Sequence, residues 1–229
     1  MRVTTGLFLF ALTACAAPPP PEASAKPGIN ERFLDPALDV DSFVETFEGE
    51  SREVYAQRYK IVSAMGIDRG QSVADIGAGT GAFLTALAEA VGPGGRVYAT
   101  DISAPFVERI ATRAKAGGID WVEARLSGER SADLPANSID KALICDVYHH
   151  FEYPRSMMNS LAKALKPDGE VILIDFERIP GVSADWILDH VRAGKTRVFE
   201  ELESFGFELV EELTGLGLEE NWAARFRRR

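Results

Sequence analysis

The stretch Asp75-Ile76-Gly77-Ala78-Gly79-Thr80-Gly81, set between an apolar run and a helical pattern, limits what this chain can fold into more than any other feature. Residues 71–76 (QSVADI) read as a buried strand, and Phe83, Leu84, Leu87, Ala88 and Val91 recur at helical spacing after the glycines. Glycines at alternate positions let the backbone turn tightly and approach a ligand closely. The helix that begins near Gly81 adds free N–H groups, which suit a polar or anionic ligand end.

The alternation continues down the chain. Gly92-Pro93-Gly94-Gly95 stops the first helix, 96–100 (RVYAT) forms a second strand, 104–116 a helix, and 119–124 a third strand. Residues 138–145 (SIDKALIC) give the fourth strand, 155–165 a helix stopped by Lys166-Pro167-Asp168-Gly169, and 170–176 (EVILIDF) the fifth. A helix over 195–205 ends at Gly206, before two last strands at 207–212 and 222–227 that can form an antiparallel hairpin at one edge. Strands and helices in this order imply an α/β fold, a mostly parallel sheet covered on both faces. Ahead of them, 51–65 places Val54, Tyr55, Tyr59, Val62 and Met65 along one helical face that packs on the sheet and can close over the ligand crevice.

The beginning of the chain has a different character. MRVTTGLFLFALTACAAPPP carries Arg2, an apolar run from Gly6 to Ala14, and no acid before Glu22. That run is well short of the roughly 20 residues a membrane-spanning helix needs, and it fits a signal-peptide core. Leu12-Thr13-Ala14-Cys15 resembles the bacterial lipobox, where the chain is cut before a cysteine that becomes diacylated. The resemblance implies a lipid anchor on Cys15 and a membrane-attached protein on the periplasmic side, or a cytoplasmic one if the signal is not used.

The chain then divides into a signal peptide (1–14), a flexible Pro/Ala-rich tether (15–28), an N-terminal helical cap (29–70) and a main domain (71–229). Loss of Arg2 takes the net charge from −10 to −11. So acidic a chain is a poor binder of nucleic-acid phosphates. Arg225, Arg227, Arg228 and Arg229 read as a solvated basic terminus. Cys145, in Ala142-Leu143-Ile144-Cys145, reads as a small buried hydrophobe, and a lipidated Cys15 leaves it no disulfide partner.

The second strand ends in Thr100-Asp101, and Asp101 stands 24 residues beyond Gly77, where an acid can accept both hydroxyls of a ribose. An adenosine-containing cofactor follows. A dinucleotide fingerprint can be laid on Gly77, Gly79 and Ala82, but Asp75 and Gly81 complete D-x-G-x-G-x-G instead. That form resembles motif I of the class I S-adenosylmethionine-dependent methyltransferases. Residues 96–101 (RVYATD), 134–152 (LPANSIDKALICDVYHHFE) and 161–175 (LAKALKPDGEVILID) occur in the order and approximate spacing of that family's motifs, closest to the small-molecule branch with the ubiquinone/menaquinone C-methyltransferases.

The resemblance implies a Rossmann-like three-layer sandwich with a seven-stranded, mostly parallel sheet and one antiparallel edge strand, matching the seven strands read above. It implies S-adenosylmethionine as methyl donor, with Asp75, Gly77, Gly79, Thr80 and Gly81 at its methionine end, Asp101 at the ribose and Ile102 against the adenine. The family often has a short acidic turn after the third strand; here Arg125-Leu126-Ser127-Gly128-Glu129 stands in its place.

Transfer of a methyl from a sulfonium needs alignment above all, and a base near neutral pKa where the acceptor carries a proton. Asp146, His149 and His150 follow the fourth strand and His190 the fifth, and these four are the candidate catalytic residues. Phe47, Tyr55, Tyr148, His190 and Arg192 are candidates for an acceptor pocket. No H-E-x-x-H, paired C-x-x-C or G-x-S-x-G is present, so the spacing signals neither a metal site nor a serine esterase. The reading is a methyltransferase acting on a small molecule. An NAD(P)-dependent oxidoreductase and an inactive lipid-anchored binding module are the alternatives.

Overall fold

A computed structural model describes residues 21–229, so the signal-peptide reading of 1–14 and the lipidation of Cys15 fall outside the described residues. The cap holds α1 (Asp41–Phe47), α2 (Glu53–Ala56) and α3 (Arg58–Ala64). The main domain runs β1 (Ser72–Ile76), α4 (Leu84–Val91), β2 (Arg96–Asp101), α5 (Ala104–Ala116), β3 (Val122–Leu126), β4 (Ile139–Cys145), α6 (Pro154–Ala164), β5 (Leu165–Phe176), α7 (Asp185–His190), α8 (Lys195–Ser204), β6 (Phe207–Glu212) and β7 (Asn221–Arg228).

The seven strands form one sheet in the order β3-β2-β1-β4-β5-β7-β6. β1 through β5 are mutually parallel, and β7 runs antiparallel to both β5 and β6. The last hairpin forms one edge as the sequence suggests. Within it β7, the reversed strand, lies inside and β6 is outermost.

Alternation along the strands builds two apolar layers. Ala74, Ile76, Ala142, Ile144, Val171 and Leu173 point to one face and meet Met157, Met158 and Leu161 of α6 and Val198 and Leu202 of α8. Val73, Leu143, Ile172 and Ile174 point to the other and meet Ile61 and Val62 of α3 and Leu87 and Val91 of α4. A strand buried on both faces has no polar alternation, which is why β4 and β5 read as continuous apolar runs. The carboxyl ends of β1, β2, β4 and β5 consequently open on one side, under the cap.

Several expectations need correction. The third strand begins at Val122, because Trp121 O accepts the Val97 N–H at 2.9 Å and sets the register against β2, while Ile119 still caps α5 through Ala114 O. The helix expected over 51–65 breaks at Gln57 (φ −95°, ψ 8°), and the break turns Tyr59 outward to 50% exposure. The extended chain of β5 starts at Leu165, opposite Ile139, with a register irregularity before Lys141–Glu170.

The second half of the expected tether is docked. Glu22 accepts the backbone N–H of Arg155 (2.9 Å) and Ser156 (2.8 Å) at the start of α6, and Ala25 N–H donates to Glu152 O at 2.8 Å. The arginines read as a solvated terminus belong to β7 and its end: Arg225 pairs with Glu170 at 2.6 Å and Arg229 with Glu203 at 2.7 Å.

Candidate active site

The loop after β1 hangs on the end of β2. Gly77 and Ala78 both donate to Thr100 O, at 2.8 and 2.9 Å. Gly77, Gly79 and Gly81 have φ of +71°, +54° and +88°, a region glycine enters without Cβ strain. A Cβ on Gly77 would stand 2.5 Å from Val147 Cγ1, so the loop after β4 packs where a side chain would be. Arg113 of α5 donates to Thr80 O (2.7 Å) and to Glu48 Oε1 (2.8 Å), tying the loop to the end of α1.

Asp101 ends β2 with one carboxylate oxygen on Gly79 N–H (2.8 Å) and the other on Ser103 N–H (2.8 Å). Burial pushes its carboxyl up to about 6 although these N–H groups pull it down. Asp75 is pushed up to about 7, by burial first and then by the charge of Asp101. Among the described residues its carboxyl accepts no side-chain or backbone hydrogen bond, so a buried acid faces a cavity without a protein partner. Such a group calls for a cation or a donor from a ligand.

That cavity has a volume of about 540 Å³, within the range of small-molecule sites. Asp75, Gly77, Gly79, Thr80, Asp101 and Ile102 line one end; Gly81 does not reach the wall and serves the turn. Among the described residues, Thr80 Oγ1 is buried without a partner. Ser127 and Glu129, from the loop that replaces the family's acidic turn, line the same wall. The cap closes the side: Phe33, Phe43 and Phe47 cluster on Phe106 with ring centroids 5.6–6.2 Å away. Asn30 Nδ2 donates to Glu129 Oε1 (3.2 Å) and His150 O (3.1 Å), so the segment before α1 is part of the wall.

The candidate catalytic residues line the same cavity, from the loop after β4 and the end of α7. Asp146, in the left-handed region at φ 55°, accepts Arg52 Nη2 at 2.7 Å on one oxygen and the Asn221 amide on the other. Burial raises its carboxyl while Arg52 lowers it. With both oxygens taken, Asp146 acts as the anchor that holds Arg52 of the cap over the cavity.

His149 and His150 lie in a short 3₁₀ turn after β4, and His190 ends α7, whose terminal carbonyls are held by Arg178 and Lys26. His149 Nδ1 stands 2.7 Å from Asp175 Oδ1, and His149 N–H donates to Asp175 Oδ2. His150 Nε2 and His190 Nε2 are 3.2 Å apart. Burial holds both of these imidazoles below the usual histidine range, with the neighbouring charges of His149, Lys26 and Arg32 adding to it.

Of the acceptor candidates, Phe47 and His190 line the cavity; Tyr148, Arg192 and Tyr55 do not. Tyr148 is fully buried and donates to Glu201 (2.9 Å), which also pairs with Arg192. Tyr55 lies under the Arg58 guanidinium. Sequence reading missed Arg52, Phe33, Phe106, Phe176, Trp186 and Asp175. Asp175 alone had a signal, an acid at the carboxyl end of a central strand, where an open α/β sheet binds its ligands.

A family model described as a methyltransferase domain matches residues 74–171. The chain is 33% identical over 125 residues to a nocamycin O-methyltransferase of Saccharothrix syringae, covering 55% of this chain and 44% of that one. It is 25% identical over 162 residues to a ubiquinone/menaquinone biosynthesis C-methyltransferase of Pseudomonas putida, covering 69% and 61%. The chain therefore spans about half of the length of the curated relatives it matches. The structure superposes on an S-adenosylmethionine-dependent methyltransferase of Aquifex aeolicus with a TM-score of 0.72 at 22% identity, over 82% of this chain and 97% of the other.

The glycine loop fits that donor: a bare buried carboxylate for an ammonium, Asp101 for ribose hydroxyls, and an aromatic wall for a base. Residues 74–171 are thus similar to a methyltransferase domain, and the chain shares the fold of an S-adenosylmethionine-dependent methyltransferase of known structure.

Proposed function

We propose that this protein transfers a methyl group from S-adenosylmethionine to a small molecule bound between the glycine loop and the histidines. The observation that carries the reading is that one 540 Å³ cavity is lined both by Asp75 and Asp101 and by His149, His150 and His190. When bound, the donor supplies an electrophilic methyl on a positively charged sulfur.

The chain's own work is placement and protection. Asp75 and Asp101 hold the two polar ends of the donor, and Phe33, Phe47 and Phe106 exclude water beside it. Arg52, fixed by Asp146, holds the cap down. An acceptor bearing a proton can release it to an imidazole, neutral here because burial disfavours the charged form. Alignment of the acceptor atom behind the methyl supplies the larger share of rate.

The test is calorimetry on the full chain with S-adenosylmethionine and S-adenosylhomocysteine. Roughly micromolar binding, about −8 kcal/mol, is expected and should disappear in Asp101→Ala. Binding of NADH in preference to either would sink the methyltransferase reading in favour of an oxidoreductase. Binding without turnover over a broad acceptor panel would leave an inactive module.

Export belongs to the same proposal. Leu12-Thr13-Ala14-Cys15 and the short apolar run before it support cleavage, lipidation of Cys15 and attachment to the periplasmic side of a membrane. Replacement Cys15→Ser should abolish globomycin-sensitive processing and release the protein from membranes; an unchanged cytosolic distribution of the wild type would refute it.

A further inference from the structure

All three histidines of the chain converge on one point of the cavity wall. One ring nitrogen from each of His149, His150 and His190 lies within 4.8 Å of the other two. His150 Nε2 and His190 Nε2 face one another at 3.2 Å. Ligands of a tetrahedral zinc ion, at about 2.0–2.1 Å from the metal, stand roughly 3.3–3.4 Å from each other. We propose that His149, His150 and His190 form a binding site for a divalent transition ion of the zinc class, with its fourth position open to the cavity.

Two further features support the site. Asp175, itself 2% exposed, receives His149 Nδ1 at 2.7 Å, the carboxylate–histidine arrangement that fixes a ligand's tautomer and leaves Nε2 free for the metal. The cavity gives an ion a path in and an acceptor a path to it. Against them, His150 Nδ1 is buried without a partner among the described residues, so the proton it carries with Nε2 on an ion is a cost the site must offset.

The neighbouring charges oppose one another. Lys26 and Arg32 stand close enough to disfavour a cation, and the Asp175 carboxylate offsets them. The motif is invisible in sequence because two ligands are adjacent in a single turn and the third lies forty residues on, after another strand.

An ion there would take an ionisable hydroxyl of the acceptor as its fourth ligand, the proton leaving to water and the oxygen remaining as a metal-bound anion. That use rests on the methyltransferase reading; metal binding itself does not.

The test is a titration of the chelator-stripped full chain with Co²⁺, followed by competition with Zn²⁺. One equivalent of Co²⁺ should bind with the intense visible absorption of a tetrahedral site and be displaced by zinc. Asp175→Asn should weaken zinc by roughly 10–100-fold. His190 is the less buried ligand, so His190→Ala, checked by circular dichroism for an unchanged fold, should abolish stoichiometric uptake. Failure of the folded wild type to take up one equivalent, or uptake unchanged in His190→Ala, would overturn the site. Calorimetry of S-adenosylhomocysteine on the same preparation separates the two ideas: donor binding without metal uptake refutes this site alone, and metal uptake without donor binding refutes the methyltransferase reading alone.

Discussion

His149 Nδ1 lies 2.7 Å from Asp175 Oδ1 while the backbone N–H of the same histidine donates to Asp175 Oδ2 at 3.0 Å, so one buried carboxylate fixes both the turn and the ring it carries. Phe176 N–H also donates to Oδ1, at 2.8 Å. Asp175→Ala leaves three buried donors without their acceptor. At about 1–3 kcal/mol for an unsatisfied buried group, the loss of stability should exceed about 3 kcal/mol by urea denaturation. A loss under about 1 kcal/mol would mean the carboxylate is not the organiser of this turn.

Gly77 carries two separable demands. Its φ of +71° costs an ordinary residue about 1–2 kcal/mol, and a Cβ would meet Val147 Cγ1 at 2.5 Å. Gly77→Ala should destabilise by about 2–4 kcal/mol, the overlap adding about 1–3 kcal/mol to the strain. The double variant with Val147→Ala should recover the overlap and keep the strain. Equal stabilities for the single and double variants would show that the loops after β1 and β4 do not pack as described.

Arg52 and Asp146 join the cap to the sheet at 2.7 Å, the arginine 24% and the aspartate 5% exposed. Arg52→Ala leaves Asp146 buried with only Asn221 to answer it and so moves its carboxyl further up. The variant should lose about 1–3 kcal/mol at neutral pH, the worth of a hydrogen bond to a charged group. That deficit should shrink as pH falls and Asp146 takes up its proton. Amide exchange across 41–56 should quicken at the same time; protection equal to wild type would mean that the pair does not hold the cap.

The succession of strands along the chain and the glycine turn after the first were legible because they rest on local signals. Glycines at 77, 79 and 81, an acid at the end of each of the first two strands, and continuous apolar runs need no tertiary knowledge. The wall beyond that turn was legible only in part: Phe47 and His190 stood among the candidates, while Phe33, Arg52 and Asp175 come from distant segments and carry no spacing. Tyr148 misled because an aromatic beside two histidines looks like pocket lining, while the turn points it into the core toward Glu201. Glu22 misled for the opposite reason: a Pro- and Ala-rich composition reads as unanchored, but one carboxylate at the start of α6 satisfies free N–H groups and docks it.

Asp75 gives the site a pH signature with a definite sign. Its carboxyl sits at about 7 and that of Asp101 at about 6, against 3.8 for an ordinary aspartate. Across pH 4–7 the folded chain then holds more protons than the unfolded one, so these two groups make the ligand-free protein less stable as pH rises through that window. At about 1.4 kcal/mol per unit, Asp75 alone accounts for at most about 4 kcal/mol, and less in practice because the two carboxylates repel each other. A ligand ammonium at Asp75 favours the ionised form. Affinity for S-adenosylhomocysteine should therefore rise by up to roughly tenfold per pH unit below about 7 and level off above it. Calorimetry at pH 6 in buffers of different ionisation enthalpy should register release of up to one proton on binding, and Asp75→Asn should flatten both profiles. An affinity constant from pH 5.5 to 8 with no proton released would show that Asp75 does not meet the ammonium.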